Sequence, residues 1–378
     1  MKSLFQTIST LFVLALALRA TVQADVPPDQ VITDVAVYGG LSFSPDGNWL
    51  VLSGQNSADT ATVTTFLDTK TWKANTPPEL KAFEVPCNDA KSVAWTPDSK
   101  HVIVGLSGNN WMGGFMVVSA FDFKLDKVWE CAHKLQTQTF DRVCAPAGGN
   151  YFAGISSLAD RFRVYDYETG KTIFSVPTPN KDQCALALSP DGNLIALADR
   201  DVLYMIDVRS KSVVKKATLE GAVDAIAFGP DSSRIGVVFD DANNIYSRGA
   251  NTQWLVNLRT DSLSKIQKPS IVPSGSSNLL DICYSHGGKV IFLLYDQSTN
   301  NHLATSLPGH SFVLVRDCDT LSPVDRLGPV SDSASSMAIS PDGVSLVVSE
   351  TKQLSIWSVK KFDTGRDQSQ QSVRNSPE

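Results

Sequence analysis

Short apolar runs alternate along the chain with one recurring polar phrase. A short apolar stretch is followed by Ser-Pro-Asp-Gly, or a near copy, and then by a second apolar stretch. The phrase reads LSFSPDGNWLVLSG from Leu41, VAWTPDSKHVIVGLSG from Val93 and ALALSPDGNLIALAD from Ala185. It returns as AIAFGPDSSRIGVVFD from Ala225 and MAISPDGVSLVVSE from Met337, with weaker copies RVCAPAGGNYFAGIS from Arg142 and DICYSHGGKVIFLLYD from Asp281. Short apolar runs bounded by turn residues read as strands rather than helices. Pro sets φ for the turn, Asp and Ser satisfy local backbone donors, and Gly accepts positive φ. Each copy therefore predicts a hairpin.

A third strand follows, ending in an aliphatic or aromatic residue and Asp, or a variant of that pair. Examples are FLDTKTW from Phe66, RVYDYETGK from Arg163, YMIDVRSK from Tyr204, VLVRDCDT from Val313 and LSIWSVKK from Leu354. A fourth is legible in TIFSVPT from Thr172. The first strand of each unit carries a column of large or apolar residues: Phe43, Trp95, Cys144, Leu188, Phe228, Tyr284 and Ile339. One residue earlier the column is mostly small, as at Ser42, Ala94, Ala187, Ala227 and Ala338. Such strands are covered on both faces. Seven units spaced by 40 to 56 residues predict a propeller.

The expected fold is all-β: seven four-stranded antiparallel blades over residues 25–362, with a polar, disordered tail at 363–378. The last unit lacks an outer strand, and Val31–Val37 precedes the first unit without another role. Pairing that segment with Leu354–Val359 would close the ring and remove two sheet edges. These repeats resemble the WD40 and YVTN class of seven-bladed β-propellers, particularly secreted bacterial forms rich in SPDG turns. The Gly-His dipeptide of regular WD40 repeats is missing from most units, and only Trp357 approximates the Trp of Trp-Asp. The fold hosts many functions, so the resemblance implies architecture first.

Residues 1–24 read as an export signal. Lys2 precedes the largely apolar Leu4–Leu18, and Val22 and Ala24 are small residues before Asp25, which predicts cleavage after Ala24. The apolar run is too short and too interrupted for a membrane span. The expected destination is the periplasm or the exterior.

Composition narrows the function. Apolar residues make up 42% and charged residues 19% of the 378 positions, enough for a large core. The net charge of −6 argues against nucleic acid, and cleavage removes only Lys2 and Arg19, making it more negative. The five His form no ligand pair and the six Cys no C-x-x-C, so no metal and no cofactor is expected. Cys144, Cys184 and Cys283 fall in core strands. Cys87 and Cys131 lie in successive connections, where a disulfide and two free thiols both stay open. Cys318 has no evident role.

Two sets of candidate site residues remain. The second-to-third-strand loops of units 2, 5 and 6 are long and carry Trp111, Met112, Tyr246, Arg248 and His302. Loops on a rigid scaffold are where recognition concentrates. Trp254, beside a strand, reads as a cap. The second set is axial: Asp141, Arg142, Asp224 and Asp281, with Lys91, lie on or beside the inner strands. The leading expectation is a non-catalytic, monomeric interaction scaffold for a protein, peptide or glycan, with no nucleic acid and no membrane insertion after cleavage. The alternative is a hydrolase or lactonase built on the axial carboxylates.

Overall fold

The Ser-Pro-Asp-Gly turn is built by its own side chains. Ser44 Oγ donates to Asp46 Oδ1 at 2.6 Å and accepts from the Trp49 N–H at 2.9 Å. Asp46 Oδ1 also accepts from the Asn48 N–H at 3.0 Å, and Gly47 takes φ 72°. Ser189–Leu194 and Ser340–Ser345 repeat this scheme. Thr96 replaces Ser in the second unit, where Ser99 takes φ 58°. The Asp that ends the third strand has a parallel task. Asp68 Oδ1 accepts from the N–H groups of Lys70 and Thr71, and Asp166 and Asp317 hold equivalent turns.

The structure, a computed structural model, describes residues 25–33, 35, 40–55, 62–74, 89–107, 114–119, 125–130, 142–145, 150–155, 161–178, 184–240, 253–267, 270–272, 278–296, 311–330, 334–350 and 352–364. A first strand β1 (Gln30–Thr33) precedes the repeats. Sheet 1 holds β2 (Leu41–Phe43), β3 (Trp49–Gln55) and β4 (Thr62–Asp68). Sheet 2 holds β5 (Asp89–Trp95), β6 (His101–Ser107), β7 (Gly114–Ser119) and β8 (Leu125–Glu130). Sheet 3 holds β9 (Arg142–Cys144), β10 (Tyr151–Ile155), β11 (Arg161–Asp166) and β12 (Thr172–Pro177). Sheet 4 holds β13 (Cys184–Leu188), β14 (Leu194–Asp199), β15 (Val202–Asp207) and β16 (Ser212–Thr218). Sheet 5 holds β17 (Val223–Phe228), β18 (Arg234–Asp240), β19 (Gln253–Arg259) and β20 (Ser270–Val272). Sheet 6 holds β21 (Asn278–Tyr284), β22 (Val290–Asp296), β23 (Ser311–Asp317) and β24 (Pro323–Val330). Sheet 7 holds β25 (Ala334–Ile339), β26 (Ser345–Glu350), β27 (Gln353–Ser358) and, on its outer edge, β1.

The fold is an all-β propeller of antiparallel blades. Seven four-stranded blades were expected; the described residues contain six, and sheet 1 has three strands. Its third strand is followed by residues 75–88, which lie outside the described set. Among the described residues the one helical element is the 3₁₀ turn Lys360–Phe362.

Hydrophobic clusters run between neighbouring sheets rather than within one. Ala196, Leu203 and Met205 of sheet 4 pack on Phe228, Val237 and Val256 of sheet 5. Phe292 and Val313 of sheet 6 pack on Leu346, Val348 and Trp357 of sheet 7. Val347 and Ile356 of sheet 7 pack on Leu41, Phe43 and Leu52 of sheet 1. Central strands are covered on both faces, which is why β14 and β22 read as nearly unbroken apolar runs.

The segment before the repeats is tied to the last two sheets. Gln30, Val31, Ile32 and Thr33 pair with Ile356, Ser355, Leu354 and Gln353. Trp357, 1% exposed, donates its indole N–H to the Val26 carbonyl at 3.0 Å. Asp25 pairs with Arg326 at 3.0 Å, and Asp29 accepts from the Ser358 N–H. Trp357 thus anchors the early segment by its indole, a different use from that of the Trp in a Trp-Asp pair.

Candidate axial site and its seams

The innermost strands carry polar groups where apolar residues would suffice, so their partners decide what they do. The register of β21 shifts between Leu279 and Asp281, an irregularity that re-aims the following side chain. Asp281 Oδ1 accepts from the Ile282 N–H at 2.9 Å. Oδ2 accepts from Ser336 Oγ at 3.0 Å and from the Met337 N–H at 2.9 Å, both in sheet 7. Burial pushes the Asp281 carboxyl above the ordinary carboxylate range, against the lowering effect of these donors and of the Arg142 cation. Two of its three hydrogen bonds pin sheet 6 to sheet 7.

Ser92, at the equivalent place in β5, does the same for sheets 2 and 3. Its hydroxyl accepts from the Val143 N–H at 3.0 Å and donates to the Val143 carbonyl at 3.3 Å. Asp224 sits at a similar register shift in β17 and accepts from Gln253 Nε2 at 3.0 Å within sheet 5. Arg142, partly buried in β9, is close enough to act electrostatically on Asp281 of a non-adjacent sheet, so its charge reaches across the axis.

The axial thiols are unsuited to nucleophilic work. Burial pushes Cys144 up to about 12 and Cys283 well above the usual thiol range. A nucleophilic Cys needs the opposite shift. A cavity of about 310 Å³ adjoins Cys144, between Phe43, Trp95 and Val143. The Trp95 indole N–H is held by the Ser42 carbonyl at 2.9 Å.

Of the sequence-derived candidates, Arg142, Asp224 and Asp281 are described, and the Arg142 charge acts on Asp281. Trp111, Met112, Tyr246, Arg248, His302 and Asp141 lie outside the described residues, as do Cys87 and Cys131. One buried network escaped the sequence reading. Tyr284 donates to Asn257 Oδ1 at 2.7 Å, and Asn257 Nδ2 donates to the Cys318 carbonyl at 2.7 Å. Arg234 Nη1 reaches Cys318 Sγ at 3.2 Å and Asp319 at 3.0 Å. Cys318 is a free thiol, 1% exposed, in the seam between sheets 5 and 6. No single motif marks this cluster, because it joins residues from three strands and a turn.

Among the described residues no three His, Cys, Asp or Glu side chains gather into a metal-binding group. No helix there is long and apolar enough to cross a membrane.

No family model and no curated protein sequence matches the chain. Solved structures do. A chain of the hydrazine synthase of Kuenenia stuttgartiensis superposes with TM-score 0.65 at 17% identity, covering 86% of this chain and 97% of that one. A chain of the mitotic checkpoint complex superposes with TM-score 0.66 at 14% identity, covering 89% and 92%. At this identity the likeness shows the fold, a β-propeller, and leaves the activity to the chain's own residues.

Proposed function

We propose that this propeller is an exported, non-catalytic interaction scaffold of the secreted bacterial type. In this reading it is a closed ring of seven blades, with sheet 1 as the seventh and β1 as the closing strand. The pairing of β1 with β27 and the packing of sheet 7 on sheet 1 support closure. Export rests on the Lys2 to Ala24 pattern.

The observation that carries the scaffold reading is the state of the axial acids. Of the two axial acids among the described residues, Asp281 pins the seam between sheets 6 and 7 and Asp224 is held by Gln253. A hydrolase or lactonase of the axial type needs carboxylates turned toward a substrate or metal. Recognition then falls to the long second-to-third-strand loops with Trp111, Met112, Tyr246, Arg248 and His302. A protein, peptide or glycan partner fits such loops, and the ring itself works as a monomer.

The test uses the purified mature protein. Its metal content, its turnover of lactone and ester substrates and its cross-linked partners are measured for the parent, Trp111→Ala and Asp224→Asn. The scaffold reading expects no stoichiometric metal, no turnover, and a cross-linked partner lost with Trp111→Ala alone. Turnover abolished by Asp224→Asn would replace it with the enzyme reading.

A further inference from the structure

On the turn face, each seam between blades brings together two positions. One is the residue just after the Ser-Pro-Asp-Gly turn; the other lies in the turn after the third strand of the next sheet. In most of the described seams bulky groups fill the space. His101 meets Tyr167, with ring centroids 6.3 Å apart. Tyr151 packs against the same cluster as Val208 and donates to the Gly192 carbonyl of the neighbouring Ser-Pro-Asp-Gly turn at 2.7 Å. Arg234 meets Cys318 and Asp319. Val290 packs with Val359 and Phe362.

Between sheets 7 and 1 the two positions are Ser345 and Thr69. Small side chains there leave a cleft of about 500 Å³, within the size range of small-ligand sites. Its apolar wall is Trp72, set edge-on to Phe43 at 6.5 Å and 80°. Trp72 holds φ 54° at a turn position that is Gly170 in sheet 3 and buried Leu263 and Leu321 in sheets 5 and 6. The same left-handed φ recurs at Lys211, Leu263 and Leu321, so it belongs to the turn that follows the third strand and only the identity of the side chain sets Trp72 apart. Trp72 remains only partly buried.

The polar lining mixes acceptors and donors. Asp46 and Asp342 belong to the turns of the two facing sheets, and their carboxylates keep lone pairs beyond those used within the turns. Lys70 and Ser345 supply donors. Lys70 stands where Asp319 receives Arg234 in the seam between sheets 5 and 6. The acceptor that would welcome a guanidinium is therefore replaced by a cation. An aromatic wall with interleaved donors and acceptors suits a neutral ring bearing hydroxyl groups.

We propose that the cleft between sheets 7 and 1 binds a neutral saccharide unit, with Trp72 against the sugar ring and Asp46, Asp342 and Lys70 on its hydroxyls. The site lies on the face of the Ser-Pro-Asp-Gly turns.

The experiment is saturation-transfer NMR and calorimetry on the mature protein, with maltose, cellobiose and N,N′-diacetylchitobiose as probes and N-acetyl-arginine amide as the cationic control. Three variants are compared: Trp72→Ala, Ser345→Arg, which fills the cleft as Arg234 fills its own seam, and Arg234→Met, which leaves the cleft untouched. The expected result is binding of at least one disaccharide. That binding should weaken about tenfold or more in Trp72→Ala and Ser345→Arg, the loss of a hot-spot contact, and stay at parental strength in Arg234→Met. No disaccharide binding, equal binding by Ser345→Arg, or binding of the arginine amide alone would overturn the proposal.

Discussion

The turn of sheet 6 lacks the aspartate its siblings use. Where sheet 1 has Ser44, Pro45, Asp46 and Gly47, sheet 6 has Ser285, His286, Gly287 and Gly288. Asp363, beyond the 3₁₀ turn, supplies the carboxylate from a distance. It accepts from Ser285 Oγ at 2.6 Å and from the Gly287 N–H at 2.9 Å. A Cβ on Gly287 would stand 2.8 Å from Asp363 Oδ1 and 2.9 Å from its Cγ, so the glycine makes room for the visiting group. Asp363→Ala removes two hydrogen bonds to a charged acceptor. Each is worth about 1.5–3 kcal/mol at full burial, and partial exposure at Asp363 brings the expected total loss to about 1–2 kcal/mol. Gly287→Asp alone forces two carboxylates together and should cost about 1–3 kcal/mol. The double variant rebuilds the turn in one segment and should return to within about 0.5 kcal/mol of the parent. Urea unfolding of the four proteins measures the cycle. Additive losses in the double variant would refute the idea that Asp363 stands in for the missing turn residue.

Other outcomes follow from the seams. Asp281→Ala leaves the Ser336 hydroxyl and the Met337 N–H without their acceptor and should destabilise by about 1–3 kcal/mol in the same assay. The Asp281 carboxyl is raised by burial, so its contribution is fully present below the ordinary carboxylate value and is lost as pH rises through the raised one. The stability of the parent relative to Asp281→Asn should therefore grow as pH falls through that window; a flat difference would contradict the assignment. Partial burial tends to raise Asp46, but the Ser44 and Asn48 hydrogen bonds prevail and hold it low; hydrogen bonds from Ser340 and Val344 likewise lower Asp342. For these two the sign reverses, and Asp342→Asn should matter less as pH drops below the ordinary carboxylate value, as thermal midpoints across pH will report. Trp357→Phe removes the bond to Val26 and part of a buried ring, with an expected loss of about 2–3 kcal/mol by denaturation. N-terminal sequencing of exported protein should begin at Asp25.

The strands and turns were legible because their causes are local. Ser44, Asp46 and Gly47 make their turn within five residues, so the phrase that encodes it recurs and can be read. The third-strand Asp was legible for the same reason, although its task is to hold a turn. The seams were less legible because their partners are a whole blade apart in sequence. Asp281 looked like an axial acid; that its carboxylate would be taken by Ser336 and Met337, some 55 residues on, follows only from the stacking of sheets. Cys318 and Asn257 had no local pattern at all. The cleft at Trp72 is a further case: it arises from what Ser345 and Thr69 fail to fill, and a missing bulk leaves no motif.

Closure of the ring by the segment before the first repeat, as proposed, is tested by a disulfide placed across the β1–β27 pair. Thr33 and Gln353 are directly paired between β1 and β27, a neighbourhood whose Cα separation suits a disulfide. In Thr33→Cys/Gln353→Cys, non-reducing peptide mapping should find the two cysteines joined within one chain, and the oxidised protein should melt at a higher temperature than the reduced one. Cysteines that stay reduced under oxidising conditions, or that link separate chains into dimers, would contradict closure by β1.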